Sequence, residues 1–229
     1  MNHPIIQLKT IEEFEVLFVP GKTKKAMILL HGYGAHLKDL LPLVHIFPEK
    51  EAFNWFFPNG PLVLNHDHPG RAWFPLSFQE WQTERSLKNE IPDGLASISQ
   101  KIIPLFTQIA KTFDSVFIGG FSQGAIVSAD AIFSQPWHPQ ALLLFSTTFV
   151  AQNRLMPFLT QKKEMQIFQS HGTQDSILSI EAARELKQFF QTASLKIDYF
   201  EFQGGHEITP EVLKQCYQSL QKIGGDGGN

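Results

Sequence analysis

A serine stands at the centre of Gly120-Phe121-Ser122-Gln123-Gly124. The pentapeptide follows the apolar run Val116-Phe117-Ile118-Gly119 and opens a stretch with helical spacing near Gln123, the setting in which a strand turns sharply into a helix. A side chain at the apex of such a turn sits on strained backbone, and flanking glycines remove the clash its neighbours would suffer. A hydroxyl is a poor nucleophile near neutral pH. It needs an imidazole to take its proton and a carboxylate to orient that imidazole.

In this arrangement the order along the chain is serine, acid, histidine. The histidines after Ser122 are His138, His171 and His206. His138 lies between Trp137 and Pro139 and reads as a loop residue, and His171 precedes the plausible acid. His206 is the remaining choice, in Gly204-Gly205-His206-Glu207, a glycine-flanked loop after an apolar run where the ring can reach a sheet's carboxyl edge. Asp175, in His171-Gly172-Thr173-Gln174-Asp175, follows the run 165–170 and reaches the same edge, whereas Asp130 falls inside a helical stretch and Asp198 inside a strand. A capping role is the plain alternative for Asp175. Ser122, Asp175 and His206 are therefore expected on one rim.

A tetrahedral oxyanion beside the serine needs backbone donors. The amide of Gln123, at the helix N-terminus, is the first. The second is the amide of Tyr33 in Leu30-His31-Gly32-Tyr33-Gly34-Ala35, a glycine-rich loop at the end of another strand. His31 itself reads as a brace for that loop.

Several remote segments have to deliver these groups to one place. Runs rich in apolar, β-branched or aromatic residues at 14–19, 26–30, 53–57, 115–119, 141–145, 165–170 and 195–202 read as strands. Helical stretches at 37–47, 86–112, 123–133, 180–191 and 210–223 lie between most of them, with Pro104 expected to kink or divide the long one. This alternation predicts an α/β fold with a mostly parallel central sheet and helices on both faces. Pro20-Gly21 leaves too little chain for a crossover, so the first two runs are expected to pair as an antiparallel hairpin. Two segments, 58–82 and 146–163, break the alternation and read as long structured loops. Residues 1–223 are read as a single domain and 224–229 as a frayed tail.

The 229 residues carry 43% hydrophobic and 18% charged side chains, too apolar for disorder and too interrupted by charge for a membrane span. A net charge of −3 provides no long-range field for nucleic acid. The lone Cys216 allows no internal disulfide and no CxxC pair. The first residues, Met1-Asn2-His3-Pro4 leading to Glu12-Glu13, carry neither a basic start nor a leader-type apolar run, and the expected location is cytoplasmic.

Together with Arg71-Ala72-Trp73-Phe74 and Gly205-His206-Glu207-Ile208, these motifs resemble the phospholipase/carboxylesterase family of α/β-hydrolases, which includes the acyl-protein thioesterases. The resemblance runs from about residue 24 to about residue 220. It implies an α/β-hydrolase fold and a cofactor-independent serine hydrolase. The implied substrates are carboxylic esters and, in some members, lysophospholipids or the thioester-linked acyl chains of proteins. It also implies Ser122, Asp175 and His206 as the triad and Tyr33 and Gln123 as the oxyanion amides. Ala125 and Ile177-Leu178-Ser179 depart from the usual pattern and bear on substrate fit more than on chemistry.

The aromatics Trp73, Phe74, Phe145, Phe149 and Phe158 are the expected lining of an acyl pocket, with core packing as their alternative. His66-Asp67-His68 could present two imidazoles to a metal, but a serine relay has no use for one, and a solvated loop is the reading taken. No metal, cofactor, nucleic acid or stable membrane insertion is expected. Two rivals stay open: a peptidase on the same scaffold, and a small-molecule-binding module that keeps the architecture without turnover.

Overall fold

The computed structural model describes residues 6–65, 68–76 and 88–223. Its strands are β1 (Gln7–Ile11), β2 (Phe14–Val19), β3 (Lys25–Leu30), β4 (Phe53–Pro58), β5 (Leu62–Asn65), β6 (His68–Ala72), β7 (Ser115–Phe121), β8 (Ala141–Phe145), β9 (Gln166–Gly172) and β10 (Lys196–Phe202). The helices are α1 (Leu43–Ile46), α2 (Leu95–Ala110), α3 (Gln123–Phe133), α4 (Gln152–Leu155), α5 (Ile180–Thr192) and α6 (Pro210–Gln221).

The sheet runs β1-β2-β4-β3-β7-β8-β9-β10, with β1, β2 and β4 joined antiparallel and every later pair parallel. Strands covered on both faces read as continuous apolar runs, and β8, Ala-Leu-Leu-Leu-Phe, is buried throughout. Alternation then sorts the side chains. Ala26, Ile28 and Leu30 of β3 join the core with α2, α3 and α5, while Met27 and Leu29 join the opposite core with α1 and α6. Each fully buried aliphatic or aromatic side chain is worth about 1.5–3 kcal/mol of transfer free energy. The two long C-terminal helices start where their caps dictate: Ser179 Oγ accepts from the Ala182 amide, and Thr209 Oγ1 accepts from the Val212 amide ahead of Pro210.

The expected hairpin across Pro20-Gly21 does not form. β4 inserts between β2 and β3, antiparallel to one and parallel to the other. Its Phe-Asn-Trp-Phe-Phe-Pro is buried along its whole length and needs a neighbour on each edge. The antiparallel hairpin is instead β1–β2, turning at Glu12, whose φ is 52°; the half-polar strand β1 was not read from sequence.

The stretch 37–47 folds mostly as turns, with α1 its one α-helical piece. Leu37 and Leu40 are still buried, but Pro42 has no amide proton to extend a helix through it. The long helix begins only at Leu95, after Gly94 at φ 82°, and Pro104 does not divide it. The segment 58–82 contains a separate antiparallel ribbon, β5–β6. Phe78, Trp81, Ser86, His66, Asp67 and the tail 224–229 lie outside the described residues. Among the described residues no helix is long and apolar enough to cross a membrane.

Candidate active site

Strand order reverses at β3: the chain passes from β3 to β4 on one side and later returns to β7 on the other. Crevices at the carboxyl ends of strands form at such switch points. Here β3 ends into His31-Gly32-Tyr33 and β7 ends at Phe121, directly before Ser122.

Ser122 has φ 54° and ψ −117° and is the residue preceding α3. A positive φ on a non-glycine residue costs about 1–3 kcal/mol and persists only where the surroundings enforce it. They do so here. The Ser122 amide donates to Phe145 O at 2.9 Å, and its carbonyl accepts from Ala125 at 3.0 Å. A Cβ on Gly124 would sit 2.2 Å from Leu30 O, so only glycine lets α3 start this close to β3. A Cβ on Gly32 would lie 3.4 Å from Ser122 Cβ, which puts the Gly32-Tyr33 turn beside the serine.

Among the described residues, neither the Tyr33 nor the Gln123 backbone amide donates to a protein acceptor. Both are therefore available to an acceptor from outside the fold. The Gly32-Tyr33 turn is held by His31, 1% exposed, whose Nε2 accepts the Gly60 amide at 2.9 Å. Its proton is therefore on Nδ1, which donates to Gly32 O at 2.8 Å. Burial pushes the His31 pKa from 6.5 down to about 4, so the ring is neutral and acts as a brace. The Gln123 side chain, fully buried, accepts the Trp73 amide at 2.9 Å and donates to Phe74 O at 2.8 Å. Trp73 Nε1 completes the lacing by donating to His31 O at 2.8 Å.

Asp175 follows β9 and His206 follows β10, two adjacent parallel strands. Backbone bonds join their loops, Thr173 donating to Phe202 O at 2.8 Å and Gln174 to Gly204 O at 2.9 Å. His206 Nδ1 lies 2.7 Å from Asp175 Oδ2, with the carboxylate fully buried and the imidazole 17% exposed. Asp175 Oδ1 accepts the Ile177 and Leu178 amides at 2.8 and 2.9 Å. Burial alone would raise the Asp175 pKa; the hydrogen bonds from His206, Leu178 and Ile177 outweigh it and hold the pKa below the usual carboxylate value. The His206 ring packs on Phe121, the residue before Ser122, with ring centroids 4.7 Å apart. The three expected groups thus occupy one rim of the sheet.

The competing residues are engaged elsewhere. Asp130 binds Arg154, Asp198 binds Lys222 at 2.8 Å, and His138 Nδ1 contacts Pro139 O at 2.9 Å ahead of β8, at the sheet's opposite edge. The five aromatics expected around an acyl chain are placed less simply. Trp73 and Phe74 are buried where Gln123 holds their backbone. Phe145 is buried with its centroid 6.0 Å from that of Phe168, and Phe149 with its own 4.9 Å from that of Phe189. Phe158, half-buried, precedes the 3₁₀ turn Leu159–Lys162. Sequence reading missed the Gln123 side-chain strap, whose partners lie 50 and 49 positions away with no local signal to mark them. Among the described residues no group of three His, Cys, Asp or Glu is arranged to hold a metal.

Residues 12–224 match the phospholipase/carboxylesterase family. The chain is 28% identical over 207 residues to acyl-protein thioesterase 1 of Eremothecium gossypii, covering 83% of this chain and 84% of that protein. It is 27% identical over 217 residues to acyl-protein thioesterase 1 of Saccharomyces cerevisiae, covering 87% and 92%. The crystal structure of a carboxylesterase from Mesorhizobium loti superposes with a TM-score of 0.78 over 94% of this chain and 98% of that one, at 17% identity. That likeness establishes an α/β-hydrolase-type fold with helices on both sides of a mostly parallel sheet.

Proposed function

The chain belongs to the phospholipase/carboxylesterase family and is a hydrolase, and from that premise we propose that it cleaves carboxylic esters and acyl thioesters through Ser122, His206 and Asp175. The observation that carries the reading is the 2.7 Å contact between His206 Nδ1 and buried Asp175, on a ring packed against the residue before Ser122. Asp175 fixes the proton of His206 on Nδ1, which leaves Nε2 as the base. Ser122 Oγ attacks the acyl carbon as Nε2 takes its proton. The carbonyl oxygen becomes an oxyanion between the Tyr33 and Gln123 amides, and the alcohol or thiol leaves with the proton from His206. Water repeats the sequence on the acyl-enzyme and releases the acid. The Trp73-Phe74 segment, strapped to the turn by Gln123, is assigned as a wall of the acyl site.

The thioester side of this reading draws on the relatives named above, both acyl-protein thioesterases. The deciding experiment compares native protein with Ser122→Ala on short and long acyl esters and thioesters, alongside fluorophosphonate labelling. Native protein should turn over and label at Ser122, and the variant should lose several orders of magnitude of activity while keeping its fold. Near-native turnover by the variant would overturn the assignment. Native protein that neither labels nor hydrolyses would favour a binding module, and amide cleavage exceeding ester cleavage would favour a peptidase.

A further inference from the structure

The acid loop contains a second histidine that the proposed relay does not use. His171, the next-to-last residue of β9, is fully buried and lies four positions before Asp175. Its Nε2 is 2.9 Å from Leu178 O and 3.4 Å from Asp175 Oδ2. A carbonyl can only accept, so Nε2 carries the proton and donates it to Leu178. Nδ1 is buried without a partner among the described residues, so the ring's hydrogen bonding is at Nε2.

Leu178 is held from both ends. Its amide donates to Asp175 Oδ1 at 2.9 Å and its carbonyl accepts from His171. The side chain is itself buried, and Ser179 next to it caps α5. The result is a closed ring, from His171 through Leu178 to Asp175 and back along Gly172-Thr173-Gln174. It fixes the rotation of the carboxylate: with Oδ1 committed to the Ile177 and Leu178 amides, Oδ2 is the oxygen turned to His206. A loop without that anchor would let the carboxylate turn, and the His206 imidazole would lose its orientation.

We infer that His171 is a positioning residue, an Nε2–H donor that locks the Asp175–Leu178 loop so that Oδ2 faces His206. This rests on the proposed role of Asp175 and His206. It makes the histidine at position 171 a requirement of the relay's geometry, separate from its place in the core.

The test uses His171→Phe, which keeps ring volume without a donor, and His171→Gln, whose amide can donate to Leu178 O. His171→Phe is expected to lower kcat by roughly 10²-fold with KM unchanged, the scale set by misplacing a reacting group by about 1 Å. The low-field His206 Nδ1 proton resonance should weaken, and His171→Gln should recover most of the loss. Native kcat and an unchanged resonance in folded His171→Phe would overturn the inference. So would failure of Gln to rescue a folded protein. Should the Phe variant not fold, ¹⁵N-histidine NMR of the native protein decides: a proton on Nε2 of His171 supports the proposal, and an Nδ1–H tautomer with bare Nε2 defeats it. Ser122→Ala measured in parallel separates the two readings. An active Ser122→Ala removes the relay itself, whereas an inactive one beside a native-like His171→Phe removes only the role of His171.

Discussion

Arg154 reaches Asp130 with two hydrogen bonds, Nε to Oδ1 at 2.6 Å and Nη2 to Oδ2 at 2.8 Å. Asp130 lies in the middle of α3, the helix that begins at the nucleophile turn, and is 1% exposed. Arg154 belongs to α4, inside the irregular segment that follows β8. The pair ties that segment onto the helix behind the site.

Removing one partner leaves a buried charge unpaired, which typically costs about 3–5 kcal/mol. Arg154→Met is expected to lose stability on that scale in urea unfolding. The double variant Asp130→Leu/Arg154→Met should recover most of it, because two apolar side chains need no partner. A single variant as stable as native protein would show the pair to be idle.

Asp175→Asn keeps an Oδ1 that can still accept from Ile177 and Leu178, so the loop should hold its shape. The amide nitrogen that replaces Oδ2 cannot accept from His206 Nδ1–H, and the imidazole is driven to the wrong tautomer. The expected result is a fall in kcat of roughly 10⁴-fold with the melting temperature close to native. Steady-state kinetics and a thermal melt on one preparation check both halves.

Burial holds His31 at about 4 when folded against 6.5 when free. Between those values the unfolded chain binds a proton that the folded chain does not, so stability falls as pH drops from 6.5 to 4 and is intact above 6.5. A shift of this size is worth about 3 kcal/mol. Unfolding curves at pH 7 and pH 4 should show a loss of that order in native protein, reduced by the same amount in His31→Gln. An identical pH dependence in the two proteins would contradict the assignment of His31 as a buried neutral brace.

The candidate site was legible in the sequence because each of its parts sits at a strand end, and strand ends are marked locally. The run 115–119 followed by glycines announced the turn at Ser122, which the structure holds at φ 54°. The order serine, acid, histidine selected Asp175 and His206, which stand 2.7 Å apart. The elements misread were those whose form depends on remote partners. β4 inserting between β2 and β3 follows from two-sided burial of its aromatics, a fact about neighbours. Pro104 is tolerated because α2 is held by its packed face, where Leu105, Phe106 and Ile109 are buried.

What the amino-acid sequence determined by itself was the chemistry on offer and the strand-and-helix alternation that carries it, since hydrophobic period and glycine placement act over a few residues. Only the tertiary structure decided which side chains hold those groups still. Gln123 strapping Trp73 and Phe74 and His31 receiving Gly60 are hydrogen bonds between segments brought together by the sheet. A buried polar group takes whatever partner the packing places beside it, and no spacing along the chain records that choice.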